Sequence, residues 1–257
     1  MTETTALDAL CSQPFATASD SDRARILSRL ADTPLFAALG EEPAGDTVTF
    51  RIFDLADGPF ALAFDVEERL STFLGGPADF VELPGRVLAG RLGAADTGIL
   101  INPGHPSEMM LPAETLRWLA QTLSQAPLAA EGQATQYRRP VAPALVEPLS
   151  VRLADMAGLA RAVWLVGSRF QNDTGAGHLL LVEGAAPAQQ DRIAKALAET
   201  LAFLPEVPGG VDIAFTDRVP AAVAKLGLCF ELPRHEVPSP VASMPPGSDP
   251  DRPPRLR

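Results

Sequence analysis

Between Gln125 and Pro143 the hydrophobic patterning that fills most of the chain stops. Ala, Gly, Gln and Pro dominate there, with a small basic knot at Arg138-Arg139, and a patterned segment of ordinary domain size lies on each side. With 257 residues and a 46% apolar share, each half has enough material to bury its own core. Helical and period-two segments alternate in both halves. The chain therefore reads as α+β: two small mixed α/β-sheet domains, residues 1–128 and 144–234, joined by a linker at 129–143. From Glu236 onward prolines recur and large apolar side chains almost vanish, so residues 235–257 read as a disordered Pro-rich C-terminal tail.

The first half opens with a short helix at Ala6–Cys11 and a second that starts near Asp20 to Asp22, carries Ile26, Leu27 and Leu30 on one face, and ends before Pro34. The period then switches to two. Val48, Phe50 and Ile52 alternate with polar neighbours, Asp57-Gly58-Pro59 signals a turn, and Phe60, Leu62 and Phe64 alternate again. This predicts a hairpin with a loop longer than the tightest type. Asp65 with Glu68 has capping-box spacing for a helix to Leu74, closed by Gly75-Gly76-Pro77. A strand at Phe80–Leu83, a short helix through Leu92, a buried strand at Gly98–Ile101 and a helix from Pro112 complete the half.

The second half predicts a helix through Leu145, Leu149, Leu153 and Met156. Strands at Ala162–Val166 and His178–Val182 follow, joined by a polar loop at Gln171–Gly175. Ile193, Leu197, Leu201 and Leu204 mark an amphipathic helix. A strand at Val211–Phe215, a helix at Val219–Leu226 and a strand at Leu228–Leu232 end it.

Charge narrows the partners. There are 32 Asp and Glu against 21 Lys and Arg, a formal net charge of −11. Phosphate backbones and anionic bilayers recruit basic surface, so neither nucleic acid nor membrane is expected as a partner. Met1-Thr2-Glu3-Thr4-Thr5 begins without basic residues or a hydrophobic run, and no window is apolar enough to span a bilayer, which predicts a cytoplasmic protein. Two distant cysteines, Cys11 and Cys229, fit a reducing compartment.

No assembled catalytic set is visible, and no cofactor or metal site is expected. His178 opens an apolar strand and reads as structural, and His235 sits at the tail boundary. Gly167-Ser168-Arg169 lacks the glycine spacing of a nucleophile elbow. Gly175-Ala176-Gly177 lacks a third glycine and precedes a strand, so it is not a dinucleotide loop. Lys195 and Lys225 are the only lysines, and neither lies in a phosphate loop. Asp54 and Asp57 are explained as turn residues, and Asp65, Glu67 and Glu68 as helix-start residues. The remaining candidate is the rigid turn after the Gly98–Ile101 strand, formed by Asn102, Pro103, Gly104 and His105. Such a loop either reverses the chain or aims amides and an imidazole at a polar ligand.

Several cues recur in a recognisable order: Leu7-Asp8-Ala9-Leu10, the Asp57-Gly58 hairpin ending at Phe64, Val81-Glu82-Leu83-Pro84-Gly85-Arg86, and Ile101-Asn102-Pro103-Gly104. Together they resemble the N-terminal domain of the SseB family, proteins named for an enhanced serine-sensitivity phenotype. Residues 145–232 are similar, with weaker cues, to that family's C-terminal domain. His105-Pro106 departs from the small polar residue typical after the turn. The resemblance implies no catalytic residue. The absence of an assembled catalytic set, the two compact domains and the acidic surface point to a non-enzymatic cytoplasmic regulator that binds a partner protein, with a link to amino-acid or sulfur metabolism. The alternative is a metabolite sensor with a site between the domains or at the Asn102–Pro106 turn.

Overall fold

The computed structural model describes residues 4–41, 48–124, 134–170 and 176–233. The protein has mixed helices and strands in two sheets, each with its own core, an α+β fold in two domains.

The first domain contains α1 (Ala6–Leu10), α2 (Asp20–Asp32), β1 (Pro34–Ala38), β2 (Ile52–Leu55), β3 (Gly58–Phe64) and α3 (Glu67–Leu74). It continues through β4 (Phe80–Pro84), α4 (Gly85–Ala94), β5 (Gly98–Ile101), β6 (Met109–Leu111) and α5 (Ala113–Ser124). The strands order as β4-β1-β3-β5-β6, with β2 also paired to β3. β3 runs parallel to β5 and antiparallel to β1 and β2. Alternation along the strands sorts their side chains to two faces. Ala37, Ala61, Ala63, Ile99 and Ile101 face a core closed by Leu7 of α1, Ile26 and Leu30 of α2, Leu88 and Leu92 of α4, and Leu116 and Leu119 of α5. Ala38, Leu62 and Phe64 face the other way, under Leu70 of α3.

Four sequence expectations change here. β1 was not expected: Leu35, Ala37 and Ala38 are all buried, so the strand lacks the alternation that reveals a half-exposed one. The hairpin is tighter than predicted, because Leu55 pairs with Gly58 and only Ala56 and Asp57 lie between. Ala56 and Asp57 keep negative φ, and Gly58 after them takes a positive φ of +117° that glycine adopts readily. This register starts the strand at Ile52 instead of Val48, and Phe50 makes only an isolated bridge to Leu39. Finally, Asp65 does not cap α3. The N-cap of the helix is Val66, without a side-chain cap, and the Asp65 carboxylate is taken by Arg69.

The second domain contains β7 (Ala134–Arg138), α6 (Val146–Ala154), β8 (Ala162–Phe170), β9 (Gly177–Glu183), α7 (Pro187–Ala202), β10 (Val211–Thr216), α8 (Ala221–Leu226) and β11 (Leu228–Glu231). Its sheet orders as β10-β9-β8-β11, and β7 also pairs with β8. Leu149 and Leu153 of α6 and Ile193 and Leu197 of α7 pack on Val163, Leu165, Leu180 and Val182. Val223 of α8 packs with Val166, Leu179 and Leu181 on the opposite face.

β7 occupies part of the stretch expected to be linker. Its polar sequence carries no strand pattern of its own, and the ladder to β8 is what orders it. Residues 129–133 of that linker, the Gln171–Gly175 loop and the 235–257 tail lie outside the described residues.

Candidate functional site

The predicted turn is present, and its parts are engaged within the loop. Asn102 holds a positive φ of 48° and is fully buried. Its Nδ2 donates to Ser107 Oγ (2.8 Å), and its Oδ1 accepts from the Asp65 backbone N–H (2.9 Å). The Gly104 N–H donates to Glu108 Oε2 (2.6 Å), and the His105 N–H to the Asn102 carbonyl (3.1 Å). His105 stands edge-on to Phe64, with ring centroids 6.2 Å apart. Pro103 is half-buried. The loop thus positions other groups: it ties β5 to the end of β3, where Asp65 lies.

Behind the turn is a buried polar network that sequence inspection missed. Arg69 of α3, 3% exposed at its side chain, bridges two carboxylates from distant segments. Its Nη2 donates to Asp8 Oδ2 (2.5 Å) and its Nη1 to Asp65 Oδ1 (3.0 Å). Asp8 also accepts from Ser107 Oγ (2.5 Å), the Ser107 amide (3.2 Å) and the Thr5 amide (3.1 Å). Burial alone would raise the Asp8 pKa. The hydrogen bonds from Arg69, Ser107 and Thr5 outweigh it and hold the carboxyl well below the usual range; burial would lower the Arg69 pKa, but Asp8 and Asp65 together raise it. The network gathers two carboxylates around one guanidinium, and Asp65 Oδ2 is buried with no hydrogen-bond partner. The Asp8 and Arg69 positions gave no local signal, since they are 61 residues apart.

The two domains meet along α2, α6 and α7. Arg86, at the start of α4, forks onto Glu199 of α7 through Nη1–Oε1 (3.0 Å) and Nη2–Oε2 (3.1 Å), and also bonds Asp32. Arg152 of α6 donates to Asp32 (2.6 Å). Arg25–Glu147 (3.0 Å) and Arg29–Asp155 (3.6 Å) extend the row. Burial would raise the Asp32 pKa, but the charge of Arg152 and the hydrogen bond from Arg86 bring it below its ordinary value. An apolar anchor lies beside these pairs: Phe203, just past α7, is buried in the first domain's core, edge-on to Trp118 at 6.0 Å. Glu199 and Phe203 are four residues apart and off the apolar stripe of Ile193 and Leu197. That second helical face was the available signal.

The seam leaves a cavity of about 700 Å³. Thr5, Leu7, Asp32, Pro34, Asp65 and Glu82 line it from the first domain. Arg152, Asp155, Met156, Arg192 and Ala196 line it from the second. A smaller hollow with Leu10, Val151, Phe203 and Leu204 shares Arg29, Asp32, Arg152 and Asp155 with it, so the ion pairs form a ridge between the two. The ordered turn therefore reaches this cavity indirectly, through the Asn102–Asp65 hydrogen bond.

Elsewhere, His178 is buried, and its Nε2 accepts from the Val141 N–H (3.3 Å). Burial, with a smaller effect from Arg138, lowers its pKa. Cys11 and Cys229 are free thiols, buried and exposed respectively. Among the described residues no group of His, Cys, Asp and Glu is arranged to hold a metal ion, and no helix is long and apolar enough to cross a membrane.

Comparison with known proteins separates the two halves. Residues 13–118 match the family model described as the SseB protein N-terminal domain. No curated protein and no solved structure matches the chain. The match spans α2 through the first half of α5 and contains Asp32 and Arg86 of the seam, Asp65 of the cavity wall, and Arg69 and the Asn102 turn behind it. Through residues 13–118 the chain contains an SseB protein N-terminal domain.

Proposed function

We propose that the protein is a non-enzymatic cytoplasmic regulator that binds a small metabolite in the cleft between its domains. The observation that carries this reading is the 700 Å³ cavity whose two walls come from different domains. Small-molecule sites are commonly this size and favour domain interfaces, where binding biases how the domains meet. The seam is held by ion pairs and one aromatic anchor, so occupancy of the cleft has a direct route to the arrangement of the halves. In this reading residues 144–234 act as the family's C-terminal domain, supplying the second wall.

The test is thermal unfolding in the presence of pooled cytoplasmic metabolites at millimolar concentration, with Ala196→Trp as a variant that fills the cleft. A pool that raises Tm in the parent and not in the variant supports the reading. Failure of every pool to shift the parent refutes it.

A second reading, a docking surface for a partner protein, is favoured by one observation. Around the second face of the first sheet Phe73 is 50% exposed and Met110 44%, and Ile52 and Leu55 are exposed at the hairpin. The net charge of −11 suits a basic partner. Capture by the tagged protein of one partner near stoichiometry, lost on Phe73→Asp, is its test. Capture insensitive to that change counts against it.

A further inference from the structure

Two buried polar atoms without partners belong to residues lining this one cavity, one on each wall. Asp65 Oδ2 is an acceptor on the first-domain side, and Arg152 Nε is a donor on the second-domain side. Buried polar groups are nearly always paired, so each such atom calls for an explanation. The two differ in sign. Asp65 belongs to the group in which Asp8 and Asp65 share Arg69, a formal surplus of one negative charge whose side chains are only 2–3% exposed. Arg152 spends its Nη1 on Asp32 (2.6 Å) while Nε remains unused. Arg192, exposed on the same wall, adds a guanidinium that makes no ion pair among the described residues.

We propose that the ligand of the cleft is a small zwitterion, a molecule carrying both an ammonium and a carboxylate. This rests on the cleft reading above and adds the ligand's chemistry. The ammonium supplies the donor that Asp65 Oδ2 lacks and offsets the surplus charge around Arg69. The carboxylate accepts from Arg152 Nε, with Arg192 in support. An anion alone would leave the Asp65 side unpaired, and a cation alone would leave Arg152 Nε unpaired. Each is therefore the weaker ligand, because an unsatisfied buried charge or donor opposes binding. Since Asn102 Oδ1 holds the Asp65 backbone, the turn acts as a positioning element for this recognition.

The test is isothermal calorimetry of the full-length protein against the standard protein amino acids. For each binder, its decarboxylated amine and its deaminated acid are measured as matched probes. The expected result is saturable one-to-one binding of at least one amino acid, with both matched probes weaker by about tenfold or more. Asp65→Asn keeps an acceptor for Arg69, and Arg152→Lys keeps a cation for Asp32. Each is expected to fold with a cooperative melt and to lose about tenfold in affinity. If no amino acid binds, or the amine or acid alone binds as well, the zwitterion assignment is overturned. Unchanged affinity in both variants overturns it too. The cleft reading outlives those results if some other metabolite still stabilises the parent and not Ala196→Trp, and falls with them if none does.

Discussion

Asp8 shows how one buried side chain can hold distant segments together. It joins α1 to α3 and to the loop before β6 through Arg69 and Ser107. Asp8→Ala is expected to destabilise the protein by about 3–5 kcal/mol, the cost of leaving a buried guanidinium short of its partner. Urea unfolding at neutral pH measures it. The pH dependence follows from the direction of the shift. The Asp8 pKa is lower folded than unfolded, so its stabilisation is fully present above the unfolded value of about 4 and is lost as pH falls towards the folded one. The gap between parent and Asp8→Ala should therefore narrow in acid. Asn102 acts at the same scale. Asn102→Ala loses two hydrogen bonds and puts at a φ of 48° a residue that tolerates the left-handed region less well than Asn, costing about 2–3 kcal/mol. Asn102→Gly should recover about 1 kcal/mol of that, because the backbone part of the cost disappears.

At the level of elements, the packing of α4 on α2 sets the seam. Gly85 donates its N–H to the Thr33 carbonyl (3.0 Å), and a Cβ there would collide with the Leu30 carbonyl oxygen. The neighbour is backbone and has little room to move. Gly85→Ala should therefore push α4 off α2 and destabilise by about 2–3 kcal/mol, a typical overpacking cost. It should also draw Arg86 away from Asp32 and Glu199. Loss of ligand stabilisation beyond the loss of folding stability, read by thermal unfolding with and without ligand, would show that this contact builds the seam.

For the whole molecule, the seam combines charge with one large apolar anchor. Arg86→Met removes one of the two guanidiniums that Asp32 and the nearly buried Glu199 share, leaving Arg152 as their common cation. A loss of about 2 kcal/mol is expected, reduced from the fully buried case because Arg86 and Asp32 are near a third exposed. Phe203→Ala should cost about 3–4 kcal/mol, measured by urea unfolding, and remove the edge-on ring contact with the already exposed Trp118. X-ray scattering should show a larger radius of gyration for the double variant, in which both contributions to docking are removed. An unchanged profile would place the docking energy elsewhere.

The sequence by itself determined the class of fold, the number of domains and the existence of most helices and strands, because each depends on local patterning. The period-two run Phe60–Phe64 became β3, the buried run Gly98–Ile101 became β5, and the stripe of Ile193 and Leu197 became the buried face of α7. The Asn102 turn was legible as well, since Asn, Pro and Gly announce their backbone preferences. Only the tertiary structure decided what that turn is bonded to. β1 was hidden by burial on both faces and β7 by its polar sequence, and both are ordered by ladders to strands elsewhere in the chain. The cleft was further from reach. Asp8, Asp65, Arg69, Arg152 and Glu199 each look like ordinary solvated charges in their own segments; the first three meet inside the first domain and the last two across the second, beside the seam. The energies that fix them are long-range pairings, and no local pattern records those.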